Sequence, residues 1–380
     1  MSDIDLCFLV NQSYAGISGL TRYDRGLLQA MGSFSNLHVK PVELGIDPLP
    51  HWADNLASRA GLGLGQFIRY YPIAWPKECQ GLVHLPQRGQ ASLLWNKGQR
   101  KVIVTVHDII HYLNHNQIGM HIYRHGIQKF FDLFSVRMLK NADRILASSE
   151  HTRHTLIEHA GLSPEKVQVI YLGVEQEHFR PLEIPPEFYQ KYNLNRGGRY
   201  ILHISTEEAR KNVGTLIRAF ARVHAKCHDV TLLKIGRPLY PFQRQTNLRL
   251  ISELGLEQAV TFIDLVPDED LPLFYNAAGV TLLPSIAEGF GFPVIESMAC
   301  GTPVVCSNTS SLPELAGEAA LLVDPRNVED IASAILRLLE DSSLTQQLRE
   351  RSLQWVRKFT WEATAKGTVG AYRKVLNQVS

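Results

Sequence analysis

Short apolar runs of strand length alternate with helical patterns along the whole chain. In the first half the runs fall at 4–10, 37–44, 82–85, 101–106, 144–147 and 167–170, with helical patterns near 19–33, 120–140 and 149–160 between them. A run that is apolar at nearly every position predicts a strand buried on both faces, and strands alternating with helices predict a parallel sheet covered on either side. A second series follows at 200–205, 230–235, 259–263, 279–283, 303–306 and 319–323. Between the two, Pro181, Pro185, Pro186, Gly197 and Gly198 break the rhythm as a linker does. The pattern predicts an α/β protein of two Rossmann-like domains, residues 1–175 and 199–357, joined by a linker at 176–198 and facing each other across a crevice at the carboxyl ends of the strands. Apolar residues at helical spacing from Phe359 to Leu376 predict one more helix at the end.

Composition narrows the picture without changing it. A chain of 380 residues accommodates two domains with cores of their own, and 45% hydrophobic with 20% charged residues is the balance of a globular protein, which sets aside disordered and collagen-like classes. The formal charge of +2 provides no global basic field for nucleic acid. The run Leu6–Val10 is far shorter than a membrane span and lacks the basic start of a signal peptide, so it reads as a buried first strand. Five cysteines, odd in number and without a CxxC pair, predict reduced thiols and a cytoplasmic setting. There is no short repeat.

Three segments carry candidate chemistry. The run Glu288-Gly289-Phe290-Gly291-Phe292-Pro293-Val-Ile-Glu296 follows an apolar strand; Pro293 suits a first helical turn and Gly301 a left-handed cap. A helix start of this kind exposes N–H groups and a positive dipole end to phosphate or sugar oxygens, and glycine admits a ligand close to the backbone. Glu208-Ala-Arg210-Lys211-Asn212 sets two cations on the loop after Ser205, where a diphosphate can be neutralised or where the pair is simply solvated. Lys101–Val106 leads into His107-Asp108 at a strand end, where an imidazole can donate to a sugar oxygen with Asp108 orienting it, or be satisfied by backbone. His107, His111, His115, His121 and His125 have no metal-ligand spacing, and no metal is expected.

The first segment, with its continuation Ser-Met-Ala-Cys-Gly-Thr-Pro-Val-Val and the downstream Ser-Leu-Pro-Glu-Leu-Ala-Gly-Glu-Ala-Ala-Leu-Leu-Val-Asp-Pro, resembles the retaining glycosyltransferases of family 4, whose signature is two glutamates separated by seven residues and whose fold is GT-B. Arg210-Lys211-Asn212 resembles the element that holds the donor diphosphate in that family. Gly16-Ile-Ser-Gly19 resembles its glycine-rich loop near donor and acceptor. His107 matches a histidine that lies beside the transferred sugar, and Phe359-Thr-Trp-Glu resembles a closing segment that returns residues 358–380 to the first domain. The resemblance implies an N-terminal acceptor domain and a C-terminal donor domain, with Glu288 reading the sugar and Glu296 the ribose. It also implies a nucleotide-diphosphate sugar as donor, GDP-mannose favoured over other GDP- or UDP-sugars, and a saccharide or lipid-linked saccharide as acceptor. No cofactor is implied. The family usually has glycine at Ser205, and often at Asp264; both departures bear on base identity.

Other readings stand beside this one. A nucleotide-sugar epimerase shares the architecture but not the Glu288–Glu296 segment, and an inactive binding subunit has no reason to keep Arg210, Lys211, Glu288 and His107 together. The aromatic and basic helix His121–Lys140 fits a core helix better than one touching the inner face of an anionic membrane, and Phe67–Tyr71 is a second candidate for either contact.

Overall fold

The computed structural model describes residues 3–10, 19–43, 70–117 and 126–377. The chain divides into two compact units, Met1–Gly173 with Trp361–Ser380, and Val174–Thr360.

In the first unit the predicted runs become β1 (Ile4–Val10), β2 (Leu37–Glu43), β3 (Leu82–Leu85), β4 (Lys101–Val106), β5 (Arg144–Ala147) and β6 (Val167–Val169), a parallel sheet in the order β2-β1-β3-β4-β5-β6. Leu9, Val83, Val104, Val106 and Ile145 are buried in one core cluster, as the near-continuous apolar runs require of a sheet covered on both faces. The last helix, Trp361–Asn377, buries Trp361, Ala365, Thr368, Val369, Tyr372 and Val375 along one face. It packs on the helix Gly19–Met31 so closely that a Cβ at Gly26 would lie 2.2 Å from the Trp361 ring.

One expectation fails here. Cys7 and Cys79 are joined in a disulfide across 72 positions, with Cα atoms 5.4 Å apart, while Cys227, Cys300 and Cys306 are free. Local spacing cannot reveal this pair, because β1 and the turn leading into β3 are brought together only by the sheet.

The second unit holds β7 (Arg199–Ile204), β8 (Val230–Ile235), β9 (Val260–Ile263), β10 (Ala278–Leu283), β11 (Val304–Ser307) and β12 (Leu321–Val323), parallel in the order β12-β11-β10-β7-β8-β9. The chain runs outward from β7 to β9 on one side, then returns to β10 on the other. The strand order therefore reverses between β7 and β10, and the loops after these two strands meet at that switch point. The helix Val213–His224 buries Val213, Leu216, Ile217, Phe220 and Val223 in this unit's core. The stretch read as a linker packs on the second unit: Phe188 stacks edge-on against Phe274 at 4.8 Å, and Lys191 and Tyr192 both donate to Asp270.

Candidate functional site

The switch point of the second sheet gathers the charged residues of two motifs. From β7 the chain passes Ser205, makes a short 3-10 turn at Ala209–Lys211 and enters the helix Val213–His224 through Asn212 in a left-handed conformation, φ 61°. The Asn212 amide donates to the carbonyls of Pro284, at 2.9 Å, and Pro325, at 2.6 Å, which fixes the turn against the end of β10. Ile286 N–H donates to the Arg210 carbonyl at 2.7 Å, so the two loops are tied backbone to backbone.

Glu288 stands at the centre. Lys211 Nζ donates to both of its oxygens, at 2.6 and 2.9 Å, and Arg210 Nη1 donates to Oε2 at 3.2 Å. Arg210 Nε also donates to Glu208 Oε2 at 3.0 Å. Burial pushes the Glu288 carboxyl up, but Lys211 and Arg210 outweigh it and hold the group at about 2. Lys211 is drawn below its ordinary value by burial, against the opposing pull of Glu288. The cations expected to await a diphosphate are thus already oriented by carboxylates, and Glu288 faces them.

The glycine turn follows the expected plan. The helix Phe292–Ala299 begins after Gly291, whose φ of 118° only glycine adopts easily and where a Cβ would lie 2.7 Å from Leu312. Pro293 sits in its first turn and Gly301 follows it at φ 74°. Gly289 and Phe290 are buried and Phe292 is half-buried. Ser311 Oγ donates to the carbonyls of Phe290, at 2.6 Å, and Glu288, at 3.0 Å, and Glu288 N–H donates to Ser310 Oγ at 3.1 Å. Glu296 is buried, and Tyr275 donates its hydroxyl to Oε2 at 2.7 Å.

Ser205 is half-buried, its hydroxyl 2.6 Å from His203 Nε2 and donating to the Thr206 carbonyl. Behind it lies a group that the motifs did not reveal: Lys234, Glu207, Arg244 and Asn247. A lysine inside the apolar strand Val230–Ile235 was the one local signal for it.

His107 and Asp108 belong to the first unit. His107 Nε2 donates to the Pro86 carbonyl at 3.1 Å, its ring meets Tyr23 edge-on at 4.8 Å, and burial holds the imidazole down at about 4, against the pull of Asp108. Asp108 caps a helix instead of gripping the ring: its Oδ1 accepts from Ile110 N–H at 3.1 Å. Gly19 is exposed at the start of its helix and His115 lies in the helix Ile110–Gln117, while Gly16, His121, His125 and residues 67–69 of Phe67–Tyr71 lie outside the described residues. Nearby, Arg88 pairs with Asp132 at 2.6 Å, both buried, and neither was singled out from sequence. Among the described residues no cluster of His, Cys, Asp or Glu is arranged to hold a metal, and no helix is long and apolar enough to cross a membrane.

Two parallel six-stranded α/β sheets in one chain, one carrying a pair of cations at its switch point, are the GT-B fold of glycosyltransferases. Sucrose-phosphate synthase from Thermosynechococcus elongatus has the same fold, with a TM-score of 0.77 at 22% identity over 99% of this chain and 100% of that one. So does Anabaena HepE, solved with UDP-glucose, with 0.72 at 18% over 97% and 99%. Residues 186–355 match the glycosyl transferases group 1 family, and residues 64–178 match glycosyltransferase family 4. Over these two stretches the chain is similar to the family 4 glycosyltransferases. It is 35% identical over 239 residues to O-antigen chain mannosyltransferase B of Escherichia coli, which is 62% of this chain and 61% of that protein. It is 29% identical over 282 residues to the serotype-specific mannosyltransferase WbdA of Escherichia coli, 73% of this chain and 34% of that protein. The matched regions thus span less than two thirds of the length of these relatives.

Proposed function

We propose that the protein is a retaining hexosyltransferase that takes mannose from GDP-mannose and passes it to a saccharide or a lipid-linked saccharide. The second unit is the donor domain and the first the acceptor domain. The observation that carries the reading is the Arg210–Lys211–Glu288 cluster at the switch point of the second sheet. Cleavage at the anomeric carbon places charge on the departing diphosphate, and cations already fixed by carboxylates stabilise that charge without reorganising. Glu288 is the residue that fixes them, and Glu296 is offered to the ribose. The acceptor hydroxyl loses its proton to an oxygen of the departing phosphate as the new bond forms on the same face of the sugar. His107 is neutral, and with its Nε2–H given to the Pro86 carbonyl its unprotonated Nδ1 is a hydrogen-bond acceptor for a sugar hydroxyl. With two cations in place a divalent ion is dispensable, so transfer is expected to persist in EDTA.

Mannose is favoured because mannosyltransferases are among the relatives at 29–35% identity. A panel of nucleotide sugars tests the reading by thermal shift and by anomer analysis of the product. GDP-mannose at a hundredfold its dissociation constant adds about 2.7 kcal/mol to stability. Stabilisation by a UDP-sugar alone replaces the donor, and stabilisation by none of them removes the transferase reading.

A further inference from the structure

Lys234 lies in β8 with its side chain 1% exposed, beside Glu207 at 0%. Its ammonium rests on carbonyl oxygens: Nζ donates to Ser205 at 2.6 Å, Gly236 at 2.9 Å and Ile235 at 3.4 Å, with Glu207 Oε1 at 3.8 Å. Glu207 is held in turn by Arg244 Nε, at 2.7 Å, and Asn247 Nδ2, at 2.8 Å, and Arg244 reaches on to Asp264 at 2.8 Å. Burying a charge in this way is costly, and a methionine of similar length would fill the same space. What a methionine cannot do is grip carbonyls from two loops at once. Ser205 follows β7 and leads within six residues to Arg210 and Lys211, and Gly236 follows β8 at φ 116°, where a Cβ would lie 2.2 Å from the Ser205 carbonyl oxygen.

A trans peptide sets its N–H opposite its carbonyl. Turning the Ser205 and Gly236 carbonyls toward the ammonium therefore turns the N–H groups of Thr206 and Arg237 away from it. We propose that Lys234 is a positioning residue of the donor unit: its grip on the Ser205 and Gly236 carbonyls aims the Thr206 and Arg237 amides outward at the strand ends as paired donors for the nucleotide diphosphate, and Glu207, braced by Arg244, keeps that ammonium charged. The inference rests on the donor reading above.

Burial draws the Lys234 ammonium down to about 8, with Glu207 and Asp264 opposing the fall and Arg244 and Lys211 adding to it; His203, the other ionisable group facing it, is kept neutral by burial. The grip therefore weakens as pH rises through that value. Calorimetry with GDP and UDP from about pH 6.5 to about pH 9.5 reads it. The unaltered protein loses affinity on an alkaline limb near pH 8. Lys234→Met lowers affinity about tenfold at neutral pH and has no limb there. Glu207→Gln moves the limb to lower pH and Arg244→Gln to higher pH, a pair of opposite shifts that decides the matter even where Lys234→Met does not fold. Lys211, which answers to Glu288, Arg210 and Glu208, does not follow that pattern. Binding with an unshifted limb in both charge variants overturns the role of Lys234 and leaves the donor reading standing. Absence of nucleotide binding in the unaltered protein at every pH overturns both.

Discussion

Both units carry a six-stranded parallel sheet, yet the groups near their strand ends are of opposite character. In the first unit they are mostly neutral. His84 shares hydrogen bonds with Tyr372, at 2.6 Å, and Thr105, at 2.7 Å, and Thr105 meets Tyr23 at 2.8 Å, whose ring abuts His107. Burial holds His84 at about 3, so the chain of groups is uncharged. In the second unit, Arg210 and Lys211 with Glu208 and Glu288, then Lys234 and Arg244 with Glu207, form two adjoining ionic groups. The two sheets thus present different side chains on one kind of architecture, as expected where function is grafted onto a common fold, and the proposed reading assigns the anionic donor to the second.

The largest effect that tests this contrast is predicted for Glu288→Gln. It leaves Lys211 and Arg210 facing an uncharged amide in a largely buried site, and unfolding in denaturant should show a loss of about 3–5 kcal/mol, partly recovered when Lys211→Met is added. No loss would mean that water, not Glu288, balances the cations. Next in size, Lys211→Ala and Arg210→Ala should each cut sugar transfer roughly a hundredfold in steady-state assays with the fold retained. Near-normal turnover in both removes the diphosphate role from this pair.

In the first unit, Gly26→Ala forces a methyl into the Trp361 ring and should cost about 1–3 kcal/mol, seen as a lower Tm. The same change at Gly370, where no atom lies within 4 Å, should be nearly silent. The smallest effect is in pH. His84 and His203 bind protons readily when unfolded and poorly when folded, so the unfolded state gains as pH falls below about 6.5. Over the first pH unit below that value each should remove about 1 kcal/mol, and His84→Gln and His203→Gln should flatten this part of the stability curve.

Much of this molecule is legible locally. The runs at 101–106 and 230–235 became β4 and β8 because a segment apolar on both faces has few other ways to shed water. Gly291 and Gly301 marked their turns because both need a positive φ. Arg210, Lys211, Glu288 and Glu296 could be singled out because unusual chemistry is concentrated in short segments. Lys234 gave a weaker sign, a lone charge in an apolar run, and Arg88 none at all, since an arginine beside Gly89 reads as surface until Asp132 is found 2.6 Å away.

What the sequence by itself determined is therefore the rhythm of strands and helices, the places where glycine bends the chain, and the residue types offered at each strand end, because hydrophobic period and backbone sterics act over a few positions. Only the tertiary structure decided which groups meet: Glu288 with Lys211 across 77 positions, the Tyr372 hydroxyl with His84 across 288, and Cys7 with Cys79 across 72. The order of strands in each sheet sets those meetings, and a charge or a hydrogen-bonding group answers to its neighbours in space, at distances along the chain that no local pattern spans.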